Sequence, residues 1–353
     1  MSYPVTLLRI CFYTLMLGVT SPSVHALDAQ NVSEQIKEAY AALQQWQLPK
    51  AKKIAERLNQ KLPDIPPVQA LVGTVKFHEG QYEEAVRLLQ RASEGGMAPS
   101  LLALAQSTYE ETKGYVQKRS AHFVMRVPPG KDELLFEKGL WALERAYQKI
   151  TEAYDFEPGH MIPVDVFHDP RGLAQVSSLT EKEITTSGTI ALCKYNRLMI
   201  TSPKALARGY SWLDTLAHEF IHLIISEKSK NTVPIWLHEG LAKYSESLWY
   251  GEPGLALEPA SENLLADATK DNELVTFEEM HPSMAKLPSQ EKTALAFAEV
   301  FTVIEFMHQR DVRGVTGFGI TNQLLSVLSS GTSMDASLSQ AVGFDLQQMQ
   351  TAW

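Results

Sequence analysis

A short pattern, H-E-x-x-H, stands at residues 218–222 inside a strongly apolar stretch of the chain. The apolar residues around it predict an almost fully buried helix: Leu213, Leu216, Ala217, Phe220, Ile221, Leu223, Ile224 and Ile225. On that helix His218 and His222 lie one turn apart on the same face, so both imidazole rings can reach a single ion. Burying two imidazoles and the Glu219 carboxylate without partners is costly, and metal coordination removes that cost. The pattern therefore predicts a metal site, with a hydrogen-bonded pair of core histidines as the alternative.

A third metal ligand is predicted on the following helix. A catalytic zinc site uses three protein ligands with nitrogen or oxygen donors and leaves one position open. Thr232 and Pro234 are typical of a helix start and predict a second helix over 235–249. The polar loop 226–233 would fold this helix back against the first and bring Glu239 opposite the two histidines.

Two neighbours of Glu239 bear on this prediction. Gly240 inside a helix costs about 1 kcal/mol relative to Ala, which indicates a packing reason, namely close approach of the two helices. In the alternative interpretation Glu239 is a surface residue that pairs with Lys243 one turn further along.

The segment HEFIH followed by WLHEGLAKYSE resembles the zinc core of the gluzincin metallopeptidases. It is similar to the membrane-alanyl-aminopeptidase type, but the spacer is shorter and His238 stands where that family has Asn. The peptidase-MA-like proteins, which often carry tetratricopeptide repeats in bacterial envelopes, are the better match. The resemblance implies one zinc ion held by three ligands, His218, His222 and Glu239.

The same resemblance implies a mechanism, in which a metal-activated water hydrolyses a peptide bond and Glu219 is the general base. An endopeptidase is favoured, because no motif that would hold a free amino terminus is found. Glu246 and Asp214 are candidate acceptors for the second ring nitrogens of the histidines. Three residues are candidates for stabilising the oxyanion: Tyr244, Tyr250 and His281.

Two short β-runs, 188–193 and 197–200, precede the H-E-x-x-H helix and predict a hairpin. In gluzincins an edge strand at this place binds the substrate backbone by strand addition, which puts that strand at 188–192. An ordinary hairpin without contact to substrate is the alternative.

The rest of this half alternates between β and α patterns. A strand is predicted at 121–127, a long amphipathic helix at 132–154 and another strand at 162–167; apolar helices follow at 293–309, 323–330 and 338–353. We therefore predict an α+β fold: antiparallel N-terminal helical repeats, then a zincin-like catalytic domain with a small mixed sheet, a zinc helix and a glutamate helix, then a helical C-terminal part.

A repeat with a period of 34 residues occupies the first third of the chain. One copy has Gly73, Tyr82, Ala85, Leu89 and Ala92, and the copy before it has Ala39, Leu48, Ala51, Ala55 and Leu58. Both resemble tetratricopeptide repeats, which are paired antiparallel helices. The domains expected are a signal peptide at 1–26, tetratricopeptide-like helices at 30–115 and the metallopeptidase domain at 118–353. The repeats would either offer a groove to a protein partner or brace the catalytic domain.

Residues 1–26 are expected to be a secretory signal. Arg9 precedes an apolar run at 10–19, and small residues lead to a cleavage site after Ala26. That run is too short to span a membrane, so no membrane insertion is expected after cleavage; an uncleaved anchor is the alternative. Cleavage leaves Cys193 as the only cysteine, so no internal disulfide can form, which favours a periplasmic or secreted protein of a bacterial envelope.

The net charge of the chain limits the classes of partner that it can attract. The formal net charge is −9, and it becomes −10 once the segment carrying Arg9 is removed. Such an acidic chain has no electrostatic attraction to nucleic acid or anionic lipid. The resemblance to metallopeptidases implies a peptide or protein substrate. The leading hypothesis is an envelope zinc endopeptidase. The alternatives are a catalytically inactive partner-binding scaffold on a metallopeptidase fold and a zinc hydrolase acting on something other than peptides.

Overall fold

The computed structural model describes residues 22–97, 99–177, 179–255 and 257–353. Residues 1–21 of the expected signal segment 1–26 lie outside the described residues, and residues 22–26 belong to the first helix. Within the described ranges no helix is both long and apolar enough to cross a membrane.

Five helices form the described part of the N-terminal third, from residue 22 on, and each packs on the next along the chain. They are α1 (Pro22–Gln44), α2 (Leu48–Lys61), α3 (Pro66–His78), α4 (Tyr82–Glu94) and α5 (Leu102–Thr112). The repeat positions Ala51, Ala55 and Leu58 of α2 are buried, and so are Ala85, Leu89 and Ala92, which follow 34 residues later in α4. The predicted helical repeat is therefore present, and its assignment to the tetratricopeptide family stays a prediction.

A mixed sheet of five strands follows, in the order β1-β2-β3-β5-β4. The strands are β1 (Val116–Arg119), β2 (Phe123–Val127), β3 (Ile162–Phe167), β4 (Ala191–Lys194) and β5 (Arg197–Thr201). The two central pairs, β2 with β3 and β3 with β5, are parallel, and the two outer pairs are antiparallel. The α+β fold class is confirmed.

The strand predictions were wrong at two places. The strand predicted at 188–193 begins only at Ala191, because a helix ends at Ser187 and Gly188 follows it in the left-handed conformation with φ +73°. Strand β1 was missed because three of its four residues are exposed and polar, so it has no apolar alternation.

Ten further helices in the described residues after 127 cover and extend the sheet. They are α6 (Leu135–Tyr154), α7 (Pro170–Gln175), α8 (Glu181–Ser187), α9 (Trp212–Ser229), α10 (Ile235–Ser245), α11 (Pro259–Asp271), α12 (Gln290–His308), α13 (Phe318–Leu328), α14 (Met334–Ala341) and α15 (Leu346–Ala352). Short 3-10 helices lie at Lys131–Leu134, Pro203–Ala205 and Met284–Lys286. The predicted order of strand, helix, strand, hairpin and two further helices is confirmed.

Several predicted helix bounds were wrong for identifiable reasons. The helix predicted at 338–353 is two helices, since Gly343 adopts φ +83° and Asp345 caps α15 by accepting from the Gln348 N–H. Helix α10 ends at Ser245 rather than at 249. Its N-cap is Pro234, and the hydroxyl of Thr232 instead donates to the Ser229 carbonyl.

Helix α9 occupies the centre of the main core. It contacts the hairpin strands β4 and β5 as well as α6, α10 and α13. Its apolar side chains Ile221, Leu223, Ile224 and Ile225 are fully buried. The almost fully buried helix predicted from the sequence is confirmed, and its histidines His218 and His222 face α10.

The close approach at Gly240 is to α12. A Cβ placed on Gly240 would lie 2.9 Å from the Val300 carbonyl oxygen and 2.9 Å from Ile304 Cγ1. Gly240 was predicted to let α10 approach α9. This prediction was wrong, because the close contact at Gly240 is with α12.

Gly240→Ala is expected to destabilise the fold by about 1–2 kcal/mol. Overpacking costs about 1–3 kcal/mol and outweighs the gain of up to about 1 kcal/mol in helix propensity. Chemical denaturation measures the difference. Gly251→Ala is the matched control, because a Cβ there meets no atom within 4 Å, and it should change stability by less than about 0.5 kcal/mol. Equal stabilities for the two variants would contradict the close contact.

Candidate metal centre

Two imidazole rings project side by side from α9 toward one carboxylate of α10. The ring centroids of His218 and His222 are 4.6 Å apart, with their planes nearly perpendicular. The Nε2 atoms of His218 and His222 lie 3.4 and 3.2 Å from the same oxygen, Oε2 of Glu239. The fold therefore brings Glu239 of α10 to two histidines that already share one face of α9.

The surface alternative for Glu239 was wrong. Its side chain is 17% exposed and faces the two histidines. Lys243, the partner considered for it, forms an ion pair with Glu246 instead. The fold-back of α10 against α9, which the polar loop between them predicted, is what places Glu239 here.

The carboxylate of Glu219, which is also on α9, lies beside the two imidazole rings. This carboxylate and the ring nitrogens of His218 and His222 offer atoms within 4.8 Å of one another, so this group can hold a metal ion. Its Oε2 is buried and has no hydrogen-bond partner in the described part of the chain. The backbone N–H of Cys193 in β4 donates to the carboxylate. Burial raises the pKa of Glu219 to about 6, although His222 and His218 lower it.

Each histidine has a partner for its second ring nitrogen. The Nδ1 of His218 donates to Oε2 of Glu246 at 3.0 Å, at the position expected for that carboxylate. The prediction that Asp214 accepts from a histidine ring was wrong, since its Oδ1 accepts from the indole nitrogen of Trp249 at 2.8 Å.

The partner of His222 is His238, which sequence reasoning did not find. The two Nδ1 atoms are 2.6 Å apart, and Nε2 of His238 is 3.1 Å from Oγ of Ser226. Burial, together with the charge on His222, lowers the pKa of His238 to about 3. The signal was present as the histidine that replaces the family's Asn immediately before Glu239.

The site is electrostatically negative. Two imidazoles face three carboxylates, those of Glu219, Glu239 and Glu246. Burial lowers the pKa of His218, but Glu239 and Glu246 outweigh it and raise the pKa to about 10. Burial raises the pKa of Glu239, and the two histidines overcome it and hold that pKa well below its usual range. A surplus of buried negative charge is complementary to a cation.

The oxyanion candidates lie in different surroundings. Tyr244 packs its ring on Phe301 and His308 of α12, which puts it on the α12 side of α10. Tyr250 is 48% exposed beside Trp249, and His281 is exposed in the loop after α11. Helix α12 also borders the histidines, since its Phe297 ring lies 6.2 Å from that of His218.

Comparison with known proteins adds the family. No curated protein sequence matches the chain. The sequence profile of the Peptidase MA superfamily matches residues 145–353, more than half of the chain. This match spans both helices of the site and the C-terminal helices, and the superfamily is typically metal-dependent. The chain therefore belongs to the Peptidase MA superfamily and has a gluzincin-like peptidase fold.

Proposed function

We propose that this chain is a zinc-dependent endopeptidase in which His218, His222 and Glu239 hold one zinc ion and Glu219 is the general base. The family points to a metallopeptidase-type activity on peptides or proteins. The composition of residues 1–26 leads us to place this activity in the periplasm or outside the cell.

The observation that carries this proposal is the convergence of two nitrogens on one oxygen. Zinc bonds of about 2.0–2.1 Å in a tetrahedron separate two ligand atoms by about 3.3 Å. The two Nε2 atoms lie 3.4 and 3.2 Å from Oε2 of Glu239. Charge-assisted hydrogen bonds are shorter, about 2.7–2.9 Å. The spacing thus favours metal ligands over a hydrogen-bonded histidine pair.

Glu219 is suited to proton transfer rather than to ligation beside His218. Adjacent helix residues point about 100° apart, so Glu219 and His218 approach the site from different directions. A bound zinc ion would supply Lewis-acid polarisation of the scissile carbonyl and favour deprotonation of the attacking water. The unpartnered Oε2 of Glu219 would take that proton and deliver it to the leaving amine. The N–H of Cys193 holds the carboxylate in place meanwhile.

The edge strand β4 is the proposed place for substrate. It is the last strand of the sheet, so it pairs with β5 alone. The bond from Cys193 puts Glu219 beside this strand. An extended peptide that adds to β4 would run past the site with its backbone in hydrogen-bonding reach. Such binding uses the backbone along the peptide rather than its end, which supports an endopeptidase.

Removing a proposed ligand is expected to remove the metal. Purified protein should contain about one zinc per chain, and His218→Ala or Glu239→Ala should lose most of it, since two ligands seldom retain zinc. Elemental analysis of the purified protein measures the content. His281→Ala, which removes an exposed histidine, is the control and should keep its zinc. Unchanged zinc in both ligand variants would show the assignment to be wrong.

Glu219→Gln is expected to keep zinc and lose at least about a hundredfold in rate, because the amide cannot take a proton. Cleavage of an unbiased peptide library by the wild type and the variant measures this loss and also identifies the preferred sequences. An active Glu219→Gln protein would rule out the proposed base. A wild type that holds zinc but cleaves no peptide would favour the scaffold alternative.

His238 is expected to orient His222. Two ring nitrogens 2.6 Å apart share one hydrogen, so His222 can bind zinc through Nε2 only if Nδ1 of His238 accepts. His238→Ala should weaken zinc binding about 10–100-fold. His238→Asn keeps an acceptor and should stay within a few-fold of the wild type. Competition with a chromogenic chelator measures the affinities, and equal affinities for the two variants would exclude this role.

A further inference from the structure

The N-terminal helices contact the sheet at β2 and β3 and also at the turn of the β4–β5 hairpin. This turn, Tyr195-Asn196, joins β4 to β5 and meets Phe77 and His78 at the end of α3. We propose that the N-terminal helices hold the β4–β5 hairpin in position and, through it, the strand that lies beside Glu219. This inference rests on the proposed function, because it makes the helices part of the substrate-binding apparatus.

A buried chain of hydrogen bonds fastens the turn from both sides. The Nδ1 of His78 donates to Oδ1 of Asn196 at 2.7 Å. The amide nitrogen of Asn196 lies 3.5 Å from Oε1 of Glu227, to which Nε2 of His160 donates at 2.7 Å. Glu227 is on α9, the helix that carries the H-E-x-x-H residues. The side chain of Asn196 therefore ties the hairpin to an N-terminal helix and to the site helix at once.

Aromatic rings of the same helices surround the residue that follows the turn. The guanidinium of Arg197 is fully buried and lies 4.9 Å from the ring centroid of Phe77 and 5.1 Å from that of Tyr82. Its Nε has no hydrogen-bond partner among the residues described. Cation–π contact with these two rings thus replaces part of the missing hydration. Its Nη1 is 3.5 Å from Asp165 of β3, whose other partners are Tyr82 and Arg126.

The turn needs such support. Both central residues, Tyr195 and Asn196, have φ +57°. A two-residue hairpin turn of this kind suits Gly and Asn, whereas a bulky residue such as Tyr is strained there. The ring of Tyr195 packs edge-on against Phe77 at 5.4 Å and against His78 at 5.8 Å. These contacts hold a conformation that the turn residues alone do not favour.

The turn lies only two residues from the strand position that contacts Glu219. Strand β4 has only four residues and one neighbouring strand, and a hairpin of that size is marginally stable by itself. Cys193, which donates to Glu219, is two positions from Tyr195. A turn that loosens would therefore let the substrate strand move relative to Glu219 and leave the histidines on α9 in place.

The test uses the full-length protein with His78→Ala and Asn196→Gly. Glycine adopts positive φ readily, so Asn196→Gly keeps the turn and removes only its side chain. Each variant should speed hydrogen exchange of the amides at 190–201 about two- to tenfold, the change that one net hydrogen bond produces. Each should raise KM for a cleaved peptide by a similar factor, with zinc content unchanged. In the double variant the effects should not add, because the two residues share one contact.

The matched control is His122→Ala. His122 also donates through Nδ1 to a polar side chain at 2.7 Å, in this instance Glu144 of α6, and it lies away from the hairpin at the start of β2. It should leave both the exchange at 190–201 and KM as they are in the wild type.

Three results would overturn the proposal. Exchange at 190–201 that is unchanged in both variants shows that the helices do not hold the hairpin. Faster exchange with unchanged KM shows a structural contact without a role in substrate binding. Equal effects in His122→Ala show a general loss of stability. If the wild type cleaves no peptide, the proposed function fails, and the exchange measurement alone then supports or overturns the hairpin contact.

Discussion

The structure depends on burying α9, a helix that is apolar around most of its circumference yet carries His218, Glu219 and His222. The apolar side chains are satisfied by the sheet, α6 and α13, as any core helix would be. The polar ones cannot be left in the core without partners, because an unpaired buried imidazole or carboxylate costs several kcal/mol. Helix α10 supplies Glu239 and His238 as partners, and Glu246, which directly follows α10, is a third. The surrounding elements form two groups. One packs against the apolar side chains of α9, and the other supplies partners for its buried polar side chains.

Much of this was predictable from local sequence because the relevant information is local. Two histidines at helical spacing within an apolar run predict both the helix and the face they share, and the fully buried strand β3 was predicted at its observed bounds. Glu239 could be predicted because a polar loop between two helices indicates an antiparallel return. The helical repeat could be predicted because a 34-residue period repeats small buried residues such as Ala51 and Ala85.

What was missed depends on contacts between distant residues. The tight contact of Gly240 is with Val300, sixty positions further along, and a single glycine in a sequence does not reveal which helix approaches it. His238 acquires its role only when α10 folds back on α9, and on an isolated helix it is simply another polar residue. The start of β4 was misjudged because Gly188 to Leu192 has the composition of a strand, while the left-handed turn at Gly188 is fixed by the end of α8.

Asp165 has a consequence for how the chain can be divided. The family profile begins at residue 145, inside α6, but this fully buried carboxylate on β3 has partners on both sides of that boundary: Arg126 on β2 and Tyr82 in α4 before it, and Arg197 after it. Leaving a buried charge short of a partner costs about 3–5 kcal/mol, a large share of the free energy of unfolding of an ordinary domain. Residues on both sides of position 145 therefore stabilise this carboxylate, and the start of the family profile does not coincide with the edge of the packed core, which also includes Phe123 and Phe136.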